Sequence, residues 1–313
     1  MNANQLHVVV GSGPLGVAVM NELLKRGIRT KVVNLNSIVD VPPEVELTHA
    51  NVGDAEQASE VFKGAAVVYH CAKPNYTKWP EEFPRLTKGI MEGAMKAEAK
   101  LVYADNLYMY GPSKEAYHEK MPNQAVERKG LTRAQMADEI LKAYRSGKLR
   151  AVIGRGSDFY GPGVLHSILG GDMVFKKALQ GKPAQVIGNI DVPHTHIYIQ
   201  DFAAGLVNLA LADDALGQIW HLASAETTTT RNLISQVYSQ LQIPSKVRAA
   251  PSLVFQLMSL FNPFMREMKE VEYIYTTPYV VNHSKYVQKF GDHTTPHAQA
   301  ISETIDWFRS SKH

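Results

Sequence analysis

One cysteine, Cys71, is all the thiol that this 313-residue chain carries. A single cysteine closes no internal disulfide and offers no cysteine cluster to a metal. The setting expected for it is reducing and cytoplasmic. Charge of one sign is lacking too. There are 33 Lys and Arg against 30 Asp and Glu, a formal net charge of +3, with no dense basic run. Neither nucleic acid nor an anionic membrane is therefore expected as a partner. No stretch reaches the ~18 apolar residues that a membrane-spanning helix requires. The opening MNANQLHVVVGSG carries an apolar run too short and too glycine-rich for a signal peptide. Internal repeats and low-complexity segments are absent. What is present is ordinary globular composition, 45% hydrophobic and 20% charged, in a chain long enough to bury a core.

Strand and helix signals alternate over the first two-thirds. Strands are predicted at Leu6–Val10, Thr30–Val33, Ala66–His70, Lys100–Tyr103 and Leu149–Ile153. Helices are predicted at Pro14–Lys25, Asp54–Lys63, Glu82–Ala97 and Thr132–Arg145. Gly27 stops the first helix and Asp54 is placed to cap the second. Such alternation calls for a parallel sheet covered by helices. After Gly163 the rhythm changes. Helix-like segments at Val164–Leu179, Asp201–Leu211 and Arg231–Leu241 are separated by strand-like pieces at Ala184–Ile187, His196–Ile199 and Gln218–Leu222. The expected class is α/β. A Rossmann-type doubly wound parallel sheet spans residues 1–163, and a smaller C-terminal α/β region, 164–313, completes the fold and forms the substrate pocket. The apolar, Met-rich stretch Pro251–Phe264 suits core, pocket lining or a partner contact, core being the simplest.

GSGPLG places Gly11, Gly13 and Gly16 in G-x-G-x-x-G spacing, with Pro14 and Leu15 between. It follows a predicted strand and opens a predicted helix. In that context the first glycine permits the turn, the second lets backbone approach a pyrophosphate, and the third permits close helix–strand packing. The helix start then offers N–H groups and a positive dipole end to the phosphates. The plainer alternative is a glycine turn that only packs. The residue that ends the second strand usually separates NAD from NADP. Asn34 stands there, followed by Leu35 and Asn36. No carboxylate is present to take two ribose hydroxyls, and no Arg lies within the loop for a 2′-phosphate. Arg29 and Lys31 are on the near side of the strand. Without an acid to repel a phosphate, the reading leans to NADP over NAD.

Further motifs accumulate: GDA at Gly53–Ala55, YHCA at Tyr69–Ala72, YADNLYMYGP at Tyr103–Pro112, GRGSDFYGPGV at Gly154–Val164 and HIYIQDFA at His196–Ala203. Together with the glycine turn, they make the chain similar over nearly its whole length to the extended short-chain dehydrogenase/reductase superfamily, in its NAD-dependent epimerase/dehydratase branch. The resemblance implies that Asp54 and Ala55 contact the adenine. It implies that Ala72 and Lys73 lie along the cofactor, and that Phe159, Tyr160 and Pro162 sit beside the nicotinamide. Asp54 as a mere helix cap and Pro162 as a mere turn former are the alternatives. Extended members are often dimers, so a homodimer is implied by the resemblance alone.

The catalytic pattern departs from the family's. The usual set is a Ser or Thr, with a Tyr four residues before a Lys that lowers the phenol's pKa for proton exchange. Here the Ser/Thr place falls at about Asn106, and Lys129 and Arg133 occupy the Tyr and Lys spacing in KGLTRAQMADEIL. Arg133 keeps a cation for ribose or phosphate; the proton donor is missing. Tyr110-Gly-Pro-Ser-Lys114 is literally Y-x-x-x-K, but its glycine and proline make a turn, not one helical face. Substitute donors are Tyr108, Tyr110 and Tyr160, with Asp105 and Asn106 available to bind or polarise a carbonyl. Lys129 is an acid–base candidate if buried and a plain surface residue if not. His194 and His196 stand where relatives carry an Arg for a substrate diphosphate. Pocket-lining or solvated histidines are expected there, and no metal site.

Two functions follow from these residues. One is an NAD(P)-dependent oxidoreductase, epimerase or dehydratase acting on a small, weakly polar carbonyl or alcohol. The other is a non-catalytic NADP-binding redox sensor, with a cofactor-retaining structural protein behind it.

Overall fold

Leu6–Val10 is a five-residue run of apolar, mostly β-branched side chains, and it forms the fully buried strand β1 of the computed structural model. Residues 5–35, 41–250, 257 and 259–310 are described. Helix α1 (Pro14–Lys25) follows a three-residue turn. Strands β2 (Thr30–Asn34) and β3 (Glu46–His49), helix α2 (Ala55–Phe62), β4 (Ala65–His70), α3 (Trp79–Lys96) and β5 (Lys100–Asp105) come next. Helix α4 (Arg128–Arg145) and β6 (Ala151–Arg155) complete that series.

Seven strands form one sheet in the order β11-β6-β5-β4-β1-β2-β3, where β11 is Ile219–His221. Every neighbouring pair is parallel. The order 3-2-1-4-5-6 is that of the doubly wound dinucleotide fold, whose switch point lies between β1 and β4. Because all strands run one way, their C-terminal ends share one edge. Parallel strands covered on both faces need continuous apolar runs. Val8, Val10, Val33, Val68, Leu101, Tyr103, Ala151 and Ile153 pack with Phe62, Phe83, Ile90 and Ile140 from the helices, and the alternate residues Val9, Val32, Val67, Val102 and Val152 are buried as well.

The chain divides into two compact units, both discontinuous in sequence. Residues 1–109, 128–155 and 203–222 make the first, which holds the whole sheet. Residues 110–127, 156–202 and 223–313 make the second. It contains three small pairings. Strand β7 (Asp158–Tyr160) runs parallel to β10 (His196–Tyr198), and β8 (Ala184–Ile187) parallel to β13 (Val247–Ala250). Strand β9 (Pro193–His194) lies antiparallel to β12 (Thr228–Thr229). Its helices include α5 (Lys176–Leu179), α7 (Thr230–Gln240) and a C-terminal helix, His297–Ser310. Helix α6 (Ile199–Leu211) crosses from one unit to the other.

Two expectations fail, and one strand has no counterpart in the sequence reading. The helix predicted over Val164–Leu179 begins only at Gly171, as a π-helical turn that runs into α5. Gly170 is extended there, and a Cβ on it would meet the Leu165 carbonyl at 2.5 Å. Strand β3, ELTH, has no apolar alternation to betray it; its pairing with β2 makes it a strand. The described apolar residues of the Met-rich stretch, Leu257, Leu260 and Phe261, are exposed rather than core. Residues 251–256 and 258 of that stretch, and Asn36, lie outside the described residues. Among the described residues, no helix is long and apolar enough to cross a membrane.

Candidate functional site

Strand β1 ends where the Gly11 amide donates to the Val33 carbonyl at 2.8 Å, while Cys71 N–H donates to Val10 at 3.0 Å. The backbone then turns at Gly11, with φ +99°. A Cβ on Gly11 would lie 2.7 Å from Ala72 Cα, and one on Gly16 would lie 1.9 Å from the Gly11 carbonyl oxygen. These two glycines are demanded by packing. Gly13 is not, because an added Cβ there meets nothing within 4 Å. Open space beside the middle glycine is what backbone approach by a ligand requires. Gly13 is also the N-cap of α1, with Pro14 in the first turn, no side-chain cap and no acid in that turn. Pro14 has no N–H to waste and is pre-set for the first turn. An uncapped helix start with no acid is a seat for an anion, so the turn fits a pyrophosphate.

Asn34, at the end of β2, is buried. Its Nδ2 donates to Ser12 Oγ in the glycine turn at 3.0 Å. Its Oδ1, which can only accept, takes a hydrogen bond from His49 Nδ1 at 2.7 Å. Asp54 caps α2, accepting from the Glu56 and Gln57 amides at 3.0 Å each. The cap is observed, then, and Ala55 opens the helix behind it. Ala72 and Lys73 follow β4 directly, past Cys71. Lys73 is surface-exposed, yet burial of its ammonium and the nearby Arg133 charge hold its pKa below the ordinary range.

The far side of the same edge is built from side chains. Lys129 and Arg133 lie one turn apart in α4, and both are buried, so Lys129 is not a surface lysine. Its Nζ sits 4.7 Å from the centre of the Tyr76 ring. The Arg133 guanidinium lies 4.5 Å and 4.4 Å from the ring centres of Trp79 and Phe83. Its Nη1 donates to Tyr103 Oη at 2.8 Å and to Asp105 Oδ1 at 3.3 Å. Asp105 Oδ2 accepts from Arg155 Nε at 3.0 Å. Asp105 is thus fully engaged between two guanidinium groups instead of being free to polarise a carbonyl. Arg133 Nε and His70 Nδ1 are buried without hydrogen-bond partners. Burial and then the Arg133 charge lower the His70 pKa to about 3, so that ring is neutral. Burial pushes the Tyr103 hydroxyl up. Asn106 is half-buried, and its Oδ1 accepts from the Tyr108 amide at 3.2 Å, shaping the turn. Tyr108, half-buried, lies 6.1 Å from Trp79 ring to ring.

In the second unit, Tyr110 is fully buried against Tyr117 and Lys114 is exposed. The chain turns between them at Gly111, φ +66°, so the pair does not share a helical face. Phe159 is half-buried against Phe202, and Pro162 is half-buried in the turn beyond β7. Tyr160 is fully buried. Its hydroxyl donates to His297 Nδ1 at 2.9 Å, since His297 Nε2 donates to the Glu226 carbonyl at 2.9 Å. Burial raises the Tyr160 pKa far above its usual value. His194 donates through Nε2 to Asp158 at 3.0 Å and stacks on His196 at 4.2 Å. His194 is therefore buried and paired with an acid. That partner is 36 residues away in sequence, so local reading missed it. Among the described residues no group of three or more His, Cys, Asp or Glu is arranged for a metal. His49 and His297 also escaped sequence reading. His49 has one available signal, its place at the end of β3, but β3 itself was not legible. His297 has none.

A search of curated protein sequences finds no match. Solved structures match in fold. A UDP-N-acetylglucosamine 4-epimerase from Bacillus cereus is 14% identical, with 99% of this chain and 98% of that chain covered and a TM-score of 0.78. A dTDP-glucose 4,6-dehydratase from Streptomyces venezuelae, solved with NAD, is 17% identical with 98% of each chain covered and a TM-score of 0.80. A UDP-glucose 4-epimerase from Thermus thermophilus, also solved with NAD, is 18% identical with 98% and 100% covered and a TM-score of 0.77. At such identities these likenesses speak for the fold alone. The family model named NAD dependent epimerase/dehydratase matches residues 8–223, and the chain belongs to that family.

Proposed function

We propose that this protein is an NADP-preferring enzyme of epimerase/dehydratase type that acts at a carbonyl or alcohol carbon of a small, weakly polar substrate. The observation that carries the reading is the open space at Gly13 before an uncapped helix start. Gly11, Gly13, Pro14, Leu15 and Gly16 would hold the pyrophosphate, Asn34 the ribose side, and Asp54 and Ala55 the adenine. Ala72 and Lys73 would line the cofactor, with Phe159, Tyr160 and Pro162 beside the nicotinamide. Bound there, the dinucleotide supplies the hydride chemistry.

The chain itself must then orient the substrate and manage one proton. Arg133 is held inward by Tyr103 and Asp105. Lys129, in the tyrosine's place and buried, is assigned the proton at the substrate oxygen. The Asn106 amide nitrogen is assigned to polarise that oxygen, since its Oδ1 is already engaged. Tyr108 is the second proton source, being half-buried where Tyr110 is fully buried. The test is calorimetric titration with NADPH, NADP, NADH and NAD, followed by a carbonyl and alcohol screen. Saturable binding with turnover that falls in Lys129→Met supports the assignment. Full turnover in that variant removes Lys129 from it.

The sensor reading draws on one observation, the inward engagement of Arg133. Strong preference for one redox form, with no consumption of it by any substrate, would favour a sensor.

A further inference from the structure

We infer that His49 reads the 2′ position of the adenosine ribose and gives this site its preference for a phosphate there. The inference rests on the reading that the glycine turn holds a nicotinamide dinucleotide. Strands β1, β2 and β3 are adjacent and parallel, so Ser12, Asn34 and His49 meet at one edge. His49 is the register partner of Asn34. In dinucleotide folds, an acid near this position bonds the 2′-hydroxyl and repels a phosphate, whereas a cation accepts the phosphate.

The side chain at the end of β2 is neutral here, and its amide is tied down at both ends. Asn34 Nδ2 is given to Ser12 and its Oδ1 to His49. Of the two partners, His49 is the exposed one. Its Nδ1–H is spent on Asn34, and Nε2 has no partner among the described residues. The acid on its own strand, Glu46, is paired with Lys31 at 2.7 Å, three residues back along β3. An imidazole fixed through Nδ1, with Nε2 left over and, among the described residues, no carboxylate bonded to it, suits a phosphate. Protonated, it donates a charge-assisted hydrogen bond, which is stronger than one to a neutral hydroxyl. Asn34 is then a positioning residue, and the Ser12 contact couples the ribose side to the turn beneath the pyrophosphate.

Titration with NADPH and NADH tests this on the unmodified protein and on His49→Asn and His49→Ala. The Asn side chain keeps a donor for Asn34 and removes Nε2; Ala removes both. The unmodified protein should bind NADPH more tightly than NADH. His49→Asn should weaken NADPH about tenfold, or ~1.4 kcal/mol, leave NADH within about twofold, and keep the melting temperature. His49→Ala should do the same to NADPH. Equal weakening of both dinucleotides, or an unchanged ratio in His49→Asn, would reduce His49 to a support for Asn34 and overturn the inference. Tighter NADH binding by the unmodified protein would overturn it too, while leaving the cofactor reading intact. No binding of either dinucleotide would bring down both.

Discussion

Two stretches of one sheet edge are built by opposite means. At the end of β1 the candidate site is backbone: a turn, a helix start and an open position at Gly13. At the ends of β5 and β6 it is side chain: Asp105 between Arg133 and Arg155, walled by Trp79, Phe83 and Tyr103. The backbone site asks only for glycine at certain spacings. The side-chain site asks for partners drawn from β5, α3, α4 and β6 at once. Where the resemblance expects the family's Tyr and Lys, this chain carries Lys129 and Arg133, and the second of them is engaged within the protein through Nη1 while its Nε stays unpartnered. On the proposed reading, the backbone turn is kept while the side chains beside it differ from the family pattern.

The comparison breaks most visibly at Asp105. Asp105→Asn leaves two buried guanidinium groups without their carboxylate, and removing one partner of a buried ion pair costs ~3–5 kcal/mol. Denaturant unfolding should show that loss. A smaller loss would mean that water or other groups already carry the charge.

Acid should weaken the same region next. His70 is held at about pKa 3 in the fold, against about 6.5 unfolded. The unfolded chain takes up the proton first, so the histidine's contribution is intact above about pH 6.5. It is lost as pH falls towards 3, on the order of 3 kcal/mol by pH 4. Stability measured from pH 7 to pH 4 should fall, and the slope should flatten in His70→Gln. An unchanged slope would assign the acid sensitivity elsewhere.

On the backbone side, Gly16→Ala should cost ~1–3 kcal/mol as an overpacked position, because its Cβ would lie 1.9 Å from the Gly11 carbonyl oxygen. Asp54→Ala should cost only ~1 kcal/mol, the worth of a helix cap. If Asp54→Ala weakens dinucleotide binding by more than its stability loss explains, the carboxylate also touches the adenine.

The sheet was legible because parallel strands advertise themselves as short apolar runs. Pro14–Lys25 and Ala184–Ile187 were read to the residue. Polar β3 was not, because pairing rather than pattern creates it. Strand β11 was read as part of the later region, although it pairs with β6 in the main sheet. In the site, the glycine spacing was informative because its geometry is local. The Asp105–Arg155, His194–Asp158 and Tyr160–His297 pairs span 50, 36 and 137 residues. Spacing carries no information about such partners. The burial of Lys129 follows from the packing of its helix, and sequence alone left that open.

The central claim is that backbone at Gly13 holds the dinucleotide, and Gly13→Ala tests it most directly. An added methyl meets nothing within 4 Å, so the melting temperature should change little, by no more than the equivalent of the ~1 kcal/mol of an N-cap preference. Calorimetric titration should show saturable dinucleotide binding by the unmodified protein and at least about tenfold weaker binding by the variant, ~1.4 kcal/mol or more. Equal affinity in the two proteins would contradict the account.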